Sequence, residues 1–189
     1  NVFLTFLQNI TSIKEKLVSD PHLEGGGLHE IKNGGVLKIH TDSGITGLGE
    51  PIVEGRAHTC ATAIKELSHY LIGKDPRAVS HHWQAMYRHA FYRGGPVLTS
   101  AISGIDQALW DIKAKALGVP VYELLGGPTR QRVRVYAHAG TPEDIQRRKK
   151  EGFTAFKTGV FKERPARIVE NKRNMEKAID HFASLRAAA

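Results

Sequence analysis

Two polar side chains lie towards the ends of segments whose alternation predicts β-strands. His138 lies in VYAHAG (residues 135–140), and Lys157 lies in FTAFKTGV (residues 153–160). Strand ends are where α/β barrels place catalytic groups. A lysine there can neutralise a carboxylate, and a histidine can donate a hydrogen bond. A solvated lysine and a packed structural histidine are the competing interpretations, which the residue types alone do not separate.

The other residues with reactive side chains match no motif for a metal or nucleotide site. His58 and His69 are eleven positions apart, and His81 and His82 are adjacent, so neither spacing fits a zinc-binding helix. The single cysteine, Cys60, excludes an internal disulfide and a zinc finger, and we expect it to be a small buried side chain. The glycine clusters match neither a P-loop nor a dinucleotide-binding fingerprint.

The formal charge of +8 raises the question of a nucleic-acid partner. The tight basic run, RRKK at residues 147–150, lies between acidic residues and has no interleaved aromatic side chains for base stacking. We therefore interpret it as a solvated helix face and expect no nucleic-acid partner.

The composition is typical of a globular protein, with 41% hydrophobic and 24% charged residues. No apolar run approaches the roughly 20 residues of a membrane span, and residues 1–8 lack the basic flank of a signal peptide. We expect a cytoplasmic protein with no membrane partner.

Residues 1–127 predict an α+β region, since the apolar period changes from two to about 3.6 along them. A glycine-rich loop is predicted at residues 19–35, and an Asp-x-Gly turn at residues 42–44. Ser80 is the expected N-cap of the second helix, and Trp83 and Trp110 are expected to be core or interface anchors. The predicted strands are residues 9–18, 36–41 and 45–50, and the predicted helices are residues 57–72, 81–89 and 97–117, with a helical turn at 121–125.

Residues 128–189 predict strand, helix, strand and helix in succession. The strands are residues 133–139 and 153–160, and the helices begin at Thr141-Pro142 and at residue 165. Units about 20 residues apart are typical of parallel α/β architecture. Because two parallel strands cannot form a sheet with both faces buried, we expect the chain to be truncated.

Several segments resemble a known family. SGIDQALWDIKAK (residues 103–115) followed by GVPVYELLGG (118–127) resembles the cap-to-barrel segment of the mandelate racemase branch of the enolase superfamily. GITGLGEP (44–51) is similar to the cap hairpin of that family. EGR (54–56) and FYRGGP (91–96) are most similar to galactonate dehydratases. The resemblance covers about residues 10–159.

This resemblance implies an α+β cap domain (residues 1–127) followed by the start of a modified (β/α) TIM-type barrel (residues 128–189). It also implies an acid-sugar dehydratase, which uses Mg²⁺ to remove the proton α to a carboxylate and then loses the β-hydroxyl. That proton is weakly acidic, so the developing charge needs a cation and fixed donors. The carboxylate metal ligands of the family lie on barrel strands three to five, beyond this sequence. The alternatives are a mannonate dehydratase, a related member, or an inactive cap fragment with a binding or structural role.

The resemblance also assigns roles to the two strand-end residues. Lys157 matches the first lysine of the Lys-x-Lys motif of the racemase branch, whereas Gly159 replaces the second, as fits the dehydratases. Lys157 is therefore the catalytic candidate, expected to neutralise the substrate carboxylate. His138 resembles a histidine of mannonate dehydratases and is expected to donate a hydrogen bond to a sugar hydroxyl.

Three residues of the cap loops complete the expected site. Arg56 and Arg93 are candidates for substrate binding, and Glu54 is expected to order Arg56, with surface roles as the alternative. We expect Lys157 and His138 to face one cavity beneath the loops that carry the arginines. The expected substrate is a small sugar acid, and the family implies a homo-oligomer.

Overall fold

The computed structural model describes residues 9–17, 35–159 and 172–189. The chain divides into two compact units, Asn1–Pro128 and Thr129–Ala189. The loop predicted at residues 19–35 lies outside the described residues, apart from Gly35, which begins a strand. None of the described helices has the length and apolar character needed to cross a membrane.

The described part of the first unit contains a three-stranded antiparallel sheet. Its strands follow the order β1 (Ile10–Leu17), β2 (Gly35–Thr41) and β3 (Thr46–Gly49). Between β2 and β3, Gly44 adopts a φ of 81°, which glycine reaches without steric cost. The antiparallel pairing of β2 with β3 confirms the turn predicted at residues 42–44. Leu37 and Ile39 of β2 are fully buried, so one face of the sheet lies against the core.

Four of the described helices belong to the same unit: α1 (Ala57–Leu71), α2 (Val79–Arg88), α3 (Pro96–Leu117) and the short α4 (Val121–Leu124). The third begins with proline at its first position and ends at Gly118, which has a φ of 67°. As predicted, Cys60 is buried, while Trp83 and Trp110 pack against the core. The largest core side chains include Leu37, Ile39, Ile64, Leu71, Met86, Ile105, Leu109 and Ile112.

The start of α2 differs from the prediction. Ser80 was expected as the N-cap, but the N-cap is Ala78, whose carbonyl accepts from the His82 N–H at 3.0 Å. No side chain caps this end. Val79 is the first residue of α2, and its side chain is buried, with only 2% of it exposed. Packing therefore outweighs the hydroxyl cap that Ser80 offered.

β3 lies directly against α3. A Cβ on Gly47 would overlap the Ala108 carbonyl, and a Cβ on Gly49 would overlap the carbonyl of Gly104. The free edge of β3 is also bonded to α3, since the Leu48 N–H donates to an Asp111 carboxylate oxygen at 2.9 Å. The motif GITGLGE therefore permits close approach of a strand backbone to a helix backbone.

The second unit contains β4 (Ala137–His138), α5 (Pro142–Lys150), β5 (Phe156–Lys157) and α6 (Lys172–Ala188). The two strands pair in parallel, but each is shorter than predicted because only the bridging residues have a partner. As predicted, α5 begins with Pro142 at its first position, and the Thr141 side chain caps it by accepting from the Asp144 N–H at 3.1 Å. The helix predicted from residue 165 is described from Lys172 onward.

Candidate functional site

His138 and Lys157 lie side by side at the ends of β4 and β5. They are register partners across the parallel pair. Two backbone hydrogen bonds fix this register, from the Ala137 N–H to the Ala155 carbonyl and from the Ala139 N–H to the Lys157 carbonyl, each 3.1 Å long. Adjacent strands lie about 4.8 Å apart, so both side chains can reach one small ligand.

The face that carries His138 is the solvent-accessible face of this short sheet. Ala137 and Ala139 are 7% and 3% exposed, whereas His138 and Tyr136 are exposed. Ala139 belongs to the core formed with Ile145 of α5 and Leu185 of α6. Because alternate residues of a strand point to opposite faces, Ala137 shares the face of Ala139, and His138 lies on the other face. An ammonium donor and an imidazole are therefore presented together on the accessible side, which suits an anion that also carries hydroxyl groups.

Tyr136 belongs to the same face and is a residue that the sequence prediction did not single out. Its ring centroid lies 6.0 Å from the Lys157 Nζ and 6.2 Å from the His138 ring centroid, with the two rings edge to face. The sequence could have indicated Tyr136, because it is two positions from His138 on the same predicted strand and such residues share a face.

The loop that precedes α1 carries Glu54 and Arg56. Arg56 is the N-cap residue of α1, and its carbonyl accepts from the Cys60 N–H at 2.9 Å. Both charged side chains are exposed, and Gly55 turns the chain between them with a φ of 73°. Among the described residues neither side chain has an ion-pair partner. The expected ordering of Arg56 by Glu54 therefore stays a prediction.

Arg93 follows two exposed aromatic residues just before α3. Phe91 and Tyr92 are 90% and 87% exposed, and their rings meet edge to face with centroids 5.3 Å apart. Arg93 is also exposed and is followed by Gly94 and Gly95, which both have positive φ. Arg56, Glu54 and Arg93 lie in the first unit, whereas His138 and Lys157 lie in the second. One cavity shared by both sets stays a prediction.

The described residues do not provide a magnesium site. Across residues 9–17, 35–159 and 172–189, no three His, Cys, Asp or Glu side chains come together as metal ligands. Mg²⁺ binding needs several oxygen ligands, and carboxylates normally supply at least some of them. The Mg²⁺ implied by the resemblance therefore has no site among these residues.

The first unit also contains an acidic side chain that sequence reasoning did not single out. Asp106 lines an open groove of about 580 Å³ together with Leu48 of β3, Trp110 of α3 and Leu125. Burial raises the pKa of the Asp106 carboxyl, and a hydrogen bond with the Trp110 side chain opposes that rise. The helical pattern gave no signal for this, because the environment of Asp106 depends on which side chains pack around α3.

Two bacterial D-galactonate dehydratases are similar in sequence to most of the chain. The D-galactonate dehydratase of Ralstonia nicotianae is 51% identical over 158 residues, which are 80% of this chain and 41% of that enzyme. The D-galactonate dehydratase of Pectobacterium atrosepticum is 50% identical with the same coverage. The chain thus spans about 41% of the length of these curated relatives.

A solved structure of an enolase from Pantoea ananatis, with bound D-gluconate and Mg, is also similar. It superimposes with a TM-score of 0.73 at 29% identity, covering 96% of this chain and 51% of that chain. Residues 21–126, more than half of the sequence, match the family described as mandelate racemase / muconate lactonizing enzyme, N-terminal domain. The protein therefore belongs to this family of the enolase superfamily, with an α+β cap domain followed by the start of a modified (β/α) TIM-type barrel.

Proposed function

We propose that this chain forms the cap and the first two βα units of an acid-sugar dehydratase, a hydro-lyase acting on D-galactonate. The observation that carries the proposal is the pairing of His138 with Lys157 on one accessible strand-end face. The 51% identity to a D-galactonate dehydratase supports the choice of substrate.

The two strand-end residues divide the work of binding. The Lys157 ammonium neutralises the substrate carboxylate, whose negative charge grows as the α-proton leaves. The His138 imidazole donates a hydrogen bond to a hydroxyl of the sugar chain, which orients the acid. Arg56 and Arg93 are exposed cap-loop cations that suit the remaining oxygen atoms.

The remaining properties of the complete protein belong to the same proposal. We infer that it uses Mg²⁺, bound by residues outside those described here. We also infer that it is a cytoplasmic homo-oligomer acting on a small sugar acid. The D-gluconate and Mg in the structure of the Pantoea ananatis enolase support the class of substrate and the metal.

The test is an assay of the complete protein with D-galactonate, and with D-mannonate as the competing substrate. Loss of the α-proton and the β-hydroxyl leaves an enol that becomes a 2-keto acid, so formation of a 2-keto acid is measured. We expect Lys157→Met and His138→Asn each to reduce kcat/KM at least about 100-fold, by analogy with the loss of one preorganised donor. Lys150→Met, at an exposed position of α5, is the matched control and should leave turnover unchanged.

The outcomes separate the alternatives. Turnover of D-mannonate in place of D-galactonate would make the protein a mannonate dehydratase. Wild-type kinetics in either variant would remove that residue from the mechanism. A complete protein that turns over neither acid would favour a related member of the superfamily with another substrate, or an inactive protein with a binding or structural role.

A further inference from the structure

We infer that Tyr136 is a positioning residue whose ring holds the Lys157 ammonium beside His138, on the face proposed to receive the sugar acid. The inference rests on the proposed function for the ligand, but the placement of the ammonium rests on the geometry of the second unit alone.

The backbone around His138 and Lys157 is held in one register. Hydrogen bonds on both sides of the paired residues lock the register, so the Cα atoms of His138 and Lys157 lie opposite each other. Tyr136 precedes His138 by two positions and therefore shares its face. The three side chains start from fixed and neighbouring points.

The Tyr136 ring contacts the Lys157 ammonium. The Lys157 Nζ lies 6.0 Å from the Tyr136 ring centroid, at the outer limit of a cation–π contact. A lysine has a long, flexible side chain with many rotamers, so an exposed strand-end lysine has little else to fix it. Among the described residues, no carboxylate forms an ion pair with Lys157. The ring therefore biases the ammonium without neutralising it, which leaves its charge available to an anion.

The Tyr136 ring also contacts the His138 imidazole. The Tyr136 and His138 rings meet at an interplanar angle of 64° with centroids 6.2 Å apart, an edge-to-face arrangement. One aromatic ring thus contacts both polar groups. Tyr136 is 56% exposed, so its substitution removes little buried surface and should leave the fold intact.

The experiment is NMR spectroscopy of the 189-residue chain, with Lys157 and His138 assigned. The Lys157 side-chain protons should show a ring-current shift that is lost in Tyr136→Leu and kept in Tyr136→Phe. Tyr122→Leu, which removes a tyrosine 51% exposed in the first unit, is the matched control and should leave the shift unchanged. Thermal unfolding of each variant shows whether the fold is kept.

Calorimetric titration of the complete protein with D-galactonate is the second measurement. We expect Tyr136→Leu to weaken binding about two- to fivefold, as loss of an exposed cation–π contact predicts, and Tyr136→Phe to restore it. An unchanged Lys157 shift in Tyr136→Leu, or a Tyr136→Phe variant that behaves like the leucine variant, would overturn the inference. If D-galactonate does not bind the complete wild-type protein, the proposed ligand fails at this face, while the ring-current comparison still decides the role of Tyr136.

Discussion

Replacing Gly47 by alanine tests the contact between β3 and α3. The added Cβ would overlap the carbonyl oxygen of Ala108 and lie against a side-chain carbon of Ile112. A flexible side chain could move away, but the Ala108 carbonyl belongs to the backbone of a 22-residue helix. Either β3 or α3 must therefore shift, and the edge bond from the Leu48 N–H to Asp111 would lengthen with it.

The magnitude follows from two opposing effects. Overpacking a core costs about 1–3 kcal/mol, and a backbone obstacle places this case near the upper limit. Alanine recovers about 0.4–1 kcal/mol by restricting the unfolded chain. We expect the free energy of unfolding to fall by about 2 kcal/mol, which lowers the urea midpoint by about 1 M for an m-value of about 2 kcal/mol/M.

Tryptophan fluorescence during urea unfolding is the assay. Both tryptophans, Trp83 and Trp110, lie in the first unit and pack against its core, so the signal reports this unit. Leu48→Ala, at the next position of β3, is the matched control, since the leucine is 48% exposed. It should cost less than about 1 kcal/mol. A Gly47→Ala midpoint equal to that of the wild type would refute the close approach of β3 to α3.

Two further predictions concern Asp106 and the isolated chain. Burial raises the pKa of the Asp106 carboxyl in the folded protein. The free energy of unfolding therefore falls as the pH rises from the pKa of this carboxyl in the unfolded chain to its pKa in the folded protein. Asp106→Asn should therefore raise the urea midpoint at pH 7 relative to the wild type, but not at pH 3; an equal effect at both values would contradict a titrating origin. The purified 189-residue chain should show no Mg²⁺-dependent dehydration of D-galactonate, because the family resemblance assigns the metal ligands to barrel strands three to five and this sequence predicts two barrel strands; measurable 2-keto acid formation would disprove this.

The candidate site could be anticipated only in part. His138 and Lys157 were identified from strand ends and the family resemblance, and the structure makes them register partners. The contact of Tyr136 with both depends on side-chain distances that no spacing rule gives. The expected ordering of Arg56 by Glu54 stays a prediction, since both charges lie in an exposed loop where each can remain hydrated.

Local chemistry determined much of the fold from the sequence alone. The hairpin around Gly44, the start of α5 at Thr141 and the end of α3 at Gly118 follow from turn and capping residues that act over a few positions. The apolar period likewise placed α1 and α3, because each period is a property of one element.

Only the tertiary structure decided the features that depend on what lies opposite a residue. The start of α2 at Val79 reflects burial of that side chain, and the short β4 and β5 reflect which residues find a partner. Glycine has a low strand propensity, so propensity alone disfavours Gly47 in β3. The backbone of α3 lies so close to this position, however, that only a residue without a Cβ fits there. Such effects arise from contacts between segments distant in the chain, and local propensity carries no information about them.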